Sequence, residues 1–439
     1  MNIPLDRLYH YIENIASEIY GSRILIYRFF PHGSKNIDDL NILHELESPW
    51  LDELLYPKIW CHDQEPLNHE FYSKNLVVPE NDDWNNVLKS INEDLFSPKN
   101  LNHQQTIFDK GLLLHSEVRS AELIKYRSDN QLIPVYYWNH AVLARDWFRY
   151  AKHETFQKQT NQTFLIYNRA WSGTREYRLK FTDLLIENNL VQHCQTTVNP
   201  YDPELATHYK NYNFKNSQWQ PINVLENFFR PSTADSASSA DFTTDDYNST
   251  DIEVVLETLF DDSRLHLTEK SLRPMACGQP FILAATHGSL EYLRGYGFKT
   301  FDTIWNEDYD LIVDPQERLQ AIITVMQEIV GWSPLTRETK IHQAREIAKY
   351  NRQWFFSQEF FNLIVSELKN NLNLAFQELA SCDNYTRWYN RWKTLLTYPE
   401  VIKLLNTNQS LHLPRMDAVN QILLTIENQL AASANTNEK

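Results

Sequence analysis

Short apolar runs, separated by longer stretches with helical spacing, set the pattern of this chain. The first runs cover residues 23–30, 58–61, 111–115 and 132–138, each of a length that suits a buried strand. Behind the last of them, Ala141, Ala144 and Phe148 recur at helical spacing, so residues 139–152 read as a helix. A second series opens with a strand at 163–167. It continues with a helix over 174–190, in which Tyr177, Phe181, Leu184 and Leu185 share one face, and with strands at 252–256 and 280–284. The polar stretch 153–162 between the two series reads as an interdomain linker. Strands that alternate with helices in this way predict α/β architecture with parallel sheets.

Past Pro315 the pattern changes. Residues 316–330, 337–350, 355–379 and 419–432 carry spaced apolar positions without strand-like alternation. The expected fold class is therefore α/β, with two Rossmann-like domains and a C-terminal helical segment. The expected boundaries are 1–155 for the N-terminal domain, 156–335 for the second and 336–439 for the helices. Residues 232–250 are rich in Ser, Thr, Ala and Asp, too polar to be buried, and read as a flexible surface insertion. No fixed-period repeat is present, which removes solenoid architectures.

Composition narrows the classes. At 439 residues the chain exceeds what one core serves, and 42% hydrophobic content is enough for two. A formal charge of -16 argues against sequence-independent binding to nucleic acid, which needs clustered Lys and Arg. Cys61, Cys194, Cys277 and Cys382 are widely spaced with no zinc-like pairing and read as reduced thiols. The first 20 residues are amphipathic rather than signal-like, and no run approaches the ~20 apolar residues of a membrane span. A cytoplasmic protein without a membrane span is the expectation.

Chemistry concentrates in the second half. Behind the strand at 252–256 come Glu257, a loop, Leu267, Thr268, Glu269 and Lys270, then a short helix stopped by Gly278 with Pro280 beyond. Thr268 or Ser271 can cap the helix, and Gly278 suits its left-handed terminus. A helix that starts at the carboxyl end of a parallel strand points free N–H groups at a cleft, where they and the helix dipole favour an anion. Lys270 adds a full positive charge, and the Glu269 carboxylate suits the vicinal hydroxyls of a ribose. The strand at 163–167 likewise runs into a loop with Arg169 and Gly173 and a helix that carries Arg175 and Arg178, cations able to clamp phosphate oxygens. An ordinary charged helix start and solvated helical arginines are the alternatives.

These residues resemble a known family. Glu257, the loop, then Leu267, Thr268, Glu269 and Lys270 resemble the "FEN…(I/V)TEK" signature of the α1,3-fucosyltransferases, glycosyltransferase family 10. Arg178, Phe181 and Leu185 resemble that family's "R-x-x-F-x-x-x-L" helix. The resemblance covers roughly residues 163 to 300, and the same half is similar to proteins of phages and bacteria. It implies a GT-B fold, an inverting mechanism without metal or other cofactor, and a nucleotide diphospho-sugar as donor substrate. By it, Arg178 contacts the pyrophosphate, Glu269 the ribose and Lys270 the phosphates, with Glu257 and Thr268 in the matching signature; the strand–loop–helix pattern adds Arg169 and Arg175 to the same donor site. Thr258 stands where the family has Asn, and the sugar is not carried over.

The first half supplies a candidate base. Residues 60–68 follow a strand and include Asp63, Glu65 and Pro66, weakly similar to the family's "ESP" element. An inverting transferase needs such a group to take the acceptor's proton. His140, at another strand-to-helix junction, is a second candidate; a capped turn and a buried histidine with a satisfied ring are the respective alternatives. Asp308 and Asp310 form a D-x-D string of the kind that holds a metal with a diphosphate in GT-A enzymes. Phosphate loops, dinucleotide fingerprints and nucleophile elbows are absent from the sequence. The expected partners are a nucleotide sugar and a hydroxyl acceptor, either a glycan or a modified DNA base. For the latter, Arg145, Arg149 and Lys152 would offset the acidic balance locally. A non-catalytic interaction protein on a transferase-like scaffold is the rival class.

Overall fold

The computed structural model describes residues 5–21, 23–29, 40–43, 57–62, 111–121, 123, 134–203, 205–223, 242–381 and 424. Within them the two series of strands form two separate sheets. Helix α1 (Leu5–Tyr20) precedes the first, which is built from β1 (Leu25–Phe29), β2 (Leu40–Ile42), β3 (Lys58–His62), β4 (Gly111–His115) and β5 (Val135–Tyr137). Its order is β2-β1-β3-β4-β5. All pairs are parallel except the edge strand β2, which runs antiparallel to β1. Every residue of β4 is buried, as a strand covered on both faces requires. Tyr9, Ile12, Ile15 and Ala16 turn one face of α1 into this core, and helix α2 (Ala141–Trp147) follows β5.

The second sheet comprises β6 (Gln162–Asn168), β7 (Cys194–Val198), β10 (Thr250–Leu256) and β11 (Phe281–Ala284), in the order β11-β10-β6-β7 and parallel throughout. Helix α3 (Tyr177–Glu187) links β6 to β7, α4 (Thr244–Ser249) leads into β10, α5 (Glu269–Cys277) links β10 to β11, and α6 (Ser289–Gly295) follows β11. A small antiparallel pair, β8 (Tyr201–Asp202) and β9 (Thr207–His208), stands apart. The fold is thus mixed α/β with parallel sheets and a helical C-terminal segment: α7 (Pro315–Val330), α8 (Pro334–Phe355) and α9 (Gln358–Ser381).

These last helices tie the lobes together. Helix α8 lies on α5, and Asn351 brackets the chain at Lys299 by donating to its carbonyl and accepting from its N–H, both at 2.8 Å. Helix α9 lies against α1 and β5 of the first lobe, where Asn371 donates to the Tyr137 carbonyl at 2.6 Å. No helix among the described residues is long and apolar enough to cross a membrane. Cys61, Cys194 and Cys277 are buried thiols outside any disulfide, and Cys382 lies outside the described residues.

Three departures from the sequence expectations appear here. Residues 244–249 of the expected insertion are helical, because Tyr247 is an aromatic anchor, 1% exposed, whose hydroxyl bonds Glu253. The expected linker is pinned, since Lys158 donates to the Thr250 carbonyl and to the Gln279 side chain. Strand β7 was not legible because its sequence, Cys194, Gln195, Thr196, Thr197 and Val198, is mostly polar, as suits an edge strand. The helix expected over 419–432 and the remainder of the 232–250 insertion, residues 232–241, lie outside the described residues, apart from Leu424.

Candidate functional site

The site is best built from Glu257, the residue just past β10. Its side chain is fully buried and points at the start of α5. One carboxylate oxygen accepts from the Thr268 N–H (2.9 Å), the Ser271 N–H (3.2 Å) and the Ser271 hydroxyl (2.6 Å). The other accepts from the Thr268 hydroxyl (3.0 Å) and the Thr258 N–H (3.0 Å). A helix start leaves orphan N–H donors and a partial positive charge, and a carboxylate answers both. Thr268 is the N-cap, accepting from the Lys270 N–H, and Gly278 ends the helix with φ 69°. The anion position expected for a ligand phosphate is thus filled, at its innermost point, by the protein's own carboxylate.

Lys270 extends from the first turn, partly exposed. Its Nζ donates to Glu269 Oε1 at 2.7 Å and approaches Thr268 Oγ1 at 3.3 Å. Glu269 is 1% exposed. The structure therefore brings Glu257, Thr268, Glu269 and Lys270 together.

Arg178 joins the same cluster from α3, but inwardly. It is 3% exposed, and its terminal nitrogens donate to the carbonyls of Ala170 (2.6 Å), Leu256 (2.7 Å) and Glu257 (3.0 Å). Burial lowers its pKa, with the neighbouring Tyr177 working against that. Expected as a pyrophosphate ligand, Arg178 instead fastens the end of β10 to the loop after β6. Both cationic segments do converge, through Arg178, Glu257 and Thr268, though on an internal acid. The loop after β6 shows the same device: buried Asp202 accepts from the N–H groups of Trp171 (2.9 Å) and Ser172 (2.8 Å). Arg169, just past β6, is half-buried, and Arg175 is largely buried with its Nε on the Ser172 carbonyl at 3.2 Å.

The carboxyl edges of the two parallel sheets meet. The turn that follows β4 pairs with the loop that follows β10 through an antiparallel bridge between Val118 and Leu265, with N–H to carbonyl distances of 2.8 and 2.9 Å. Ser116 Oγ lies 3.2 Å from His266 Nδ1, and Arg264 reaches the buried Glu117 carboxylate at 3.5 Å. Arg119 donates to the His287 carbonyl, just past β11, at 2.6 Å. Among the buried polar atoms along this edge with no hydrogen-bond partner among the described residues are Thr258 Oγ1, His266 Nε2 and Thr286 Oγ1. Buried polar groups are normally satisfied, so these atoms keep hydrogen-bonding capacity that no described residue uses. Partial burial, then the charges of Arg119 and Arg318, hold the His287 imidazole below its ordinary pKa.

The expected bases fare differently. Asp63 and Glu65 lie outside the described residues, although β3 ends at His62 on this same carboxyl edge. His140 opens α2 at 2% exposure, close to the fully buried Trp138 and Ala141. In the D-x-D string the two carboxylates separate: Asp308 is exposed, whereas Asp310 is buried and accepts from the Leu290 N–H at 3.1 Å to cap α6. Sequence reasoning missed the turn from Ser116 to Ser120, and His266. The available signal was a polar, charged string directly behind a strand. Two open concavities lie elsewhere, of about 570 Å³ beside Trp305 and Glu307 and about 960 Å³ beside Asp251 and Arg337. Neither includes Lys270 or Arg178.

No protein-family model and no curated protein matches the chain. Among solved structures, sucrose-phosphate synthase from Thermosynechococcus elongatus is similar over 85% of this chain and 81% of its own, with 15% identity and a TM-score of 0.37. A likeness of that degree says nothing about activity.

Proposed function

We propose that this chain is a GT-B-like glycosyltransferase that holds a nucleotide diphospho-sugar between its two lobes and passes the sugar to a hydroxyl acceptor. The observation that carries the proposal is the meeting of the two carboxyl edges at the Thr268, Glu269 and Lys270 start of α5. In open parallel α/β sheets, ligands bind beyond the carboxyl ends of the strands. Here both lobes present that edge to the same seam.

In this reading Lys270 neutralises the diphosphate, Glu269 accepts from the ribose hydroxyls, and Arg169 and Arg175 lie along the second approach to the phosphates. Arg178, Glu257 and Thr268 hold the site together from beneath. The acceptor oxygen forms a bond to the anomeric carbon as the bond from that carbon to the diphosphate breaks. The electron pair leaves with the diphosphate, and the acceptor's proton passes to a carboxylate, for which Asp63 and Glu65 are the candidates. Attack from the face opposite the leaving group inverts the anomeric centre. Side-chain cations provide the charge neutralisation, so the reading requires no metal.

One observation favours a rival. Because Glu257 and Asp202 already satisfy the loop N–H groups, a scaffold that binds partners without a donor would look similar at these two points. Titration calorimetry with GDP and UDP separates the two. Binding of either by the wild-type chain, weakened roughly 10- to 100-fold by Lys270→Gln, is the expected result, since a charge-assisted contact contributes about 1.5–3 kcal/mol. The glutamine amide can still donate to Glu269, which keeps the fold out of the comparison. Binding of neither nucleotide selects the scaffold.

A further inference from the structure

Arg119 stands out on three independent counts. Its backbone occupies the left-handed region at φ 59°, uncommon for a residue with a side chain and most often retained where function requires it. Its guanidinium crosses from the first lobe to the second and rests over Gly288, where a Cβ would stand 3.2 Å from Nη1. Gly288 itself has φ 79°, so the bare α-carbon is needed both for the turn and for the room above it. Finally, in a chain with 57 acidic against 41 basic side chains, Arg119 meets no carboxylate among the described residues: its hydrogen bond is to the His287 carbonyl, through Nη2.

An arginine fork has five N–H donors, and one carbonyl occupies one of them. The turn that carries Arg119 is fastened by the Val118–Leu265 bridge to the strand of chain leading into Thr268, Glu269 and Lys270. The backbone is thus strained to present a guanidinium at the carboxyl edge of the second sheet, over the turn between β11 and α6.

We infer that Arg119 is the first lobe's ligand for the donor diphosphate, acting together with Lys270 of the second. The inference rests on the donor reading given above. It assigns the diphosphate to residues of both lobes, so a bound nucleotide bridges the seam, and it makes Arg119 a binding residue that holds the leaving group.

The test compares GDP and UDP with the corresponding nucleosides, guanosine and uridine, by titration calorimetry on the full chain and on Arg119→Gln and Arg119→Lys. The expected result is a loss of roughly tenfold or more in diphosphate affinity for Arg119→Gln, partial recovery for Arg119→Lys, and unchanged nucleoside affinity. A purely structural latch would weaken nucleoside and diphosphate alike, and that outcome overturns the assignment. So does a diphosphate affinity unchanged by Arg119→Gln while wild type and Lys270→Gln still differ, which would leave the donor reading standing. Absence of any nucleotide binding by the wild-type chain removes both.

Discussion

The carboxylate of Glu257 and the hydroxyl of Ser271 meet at 2.6 Å, joining the end of β10 to the first turn of α5 across fourteen positions of sequence. This contact, with the two from Thr268, makes the start of α5 an internal ion-to-dipole joint. It also orients Glu269 and Lys270, which occupy the two positions between the joined residues Thr268 and Ser271. A ligand phosphate would therefore approach the side chains of that turn, while the Thr268 and Ser271 N–H groups stay with Glu257 and the Lys270 N–H with Thr268.

Glu257→Ala strips the Thr268 and Ser271 N–H groups of their acceptor in a dry environment. Each buried donor left unsatisfied costs about 1–3 kcal/mol, so a total loss near ~3 kcal/mol is expected from urea unfolding midpoints. A change below about 1 kcal/mol would show that water or a neighbouring group replaces the carboxylate. Nucleotide affinity should fall with it, because α5 loses its anchor.

A second buried charge lies beneath the same helix. Arg273 and Glu253 pair at 2.6 Å with almost no exposure, the carboxylate also accepts from Tyr247, and the guanidinium lies 4.4 Å above the Tyr167 ring. Removing one partner strands the other, so Glu253→Met should cost about 3–5 kcal/mol. The double variant Glu253→Met with Arg273→Met should cost clearly less than the two single losses added together. Strict additivity in the double-mutant cycle would contradict the pairing.

Stability should also depend on pH through Glu307. Burial pushes its carboxyl up from the ordinary 4.5 to about 7, against the opposing hydrogen bonds from Thr300 and the Phe301 N–H and the charge of Arg294. Between those two values the folded state binds more protons than the unfolded one. Stability is accordingly highest below the unfolded pKa and declines as pH rises through the folded pKa, by about 3 kcal/mol in all. Thermal midpoints measured from pH 5 to 8 should fall for the wild type and fall less for Glu307→Gln. Parallel curves for the two proteins would place the titrating group elsewhere.

The division between local and distant causes explains what could be read early. Strand and helix alternation, the Thr268 cap and the Gly278 stop follow from a few consecutive residues, since they depend on backbone geometry and side-chain periodicity. The orientation of a charge does not. Arg178 sits on a helix face where either a phosphate or a carbonyl could take it, and only the end of β10, some eighty positions on, supplies the carbonyls of Leu256 and Glu257. Arg119 went unnoticed for the converse reason: nothing adjacent to it in sequence reveals that its turn pairs with Leu265 and rests on Gly288.

By itself the sequence determined two parallel α/β sheets, a helical C-terminal segment, and a capped, cationic helix start behind a strand. The tertiary structure alone decided which charges face inward to carbonyls and N–H groups and which stay open at the seam. Hydrogen-bond saturation is a property of the neighbours a side chain meets, and those neighbours come from both lobes.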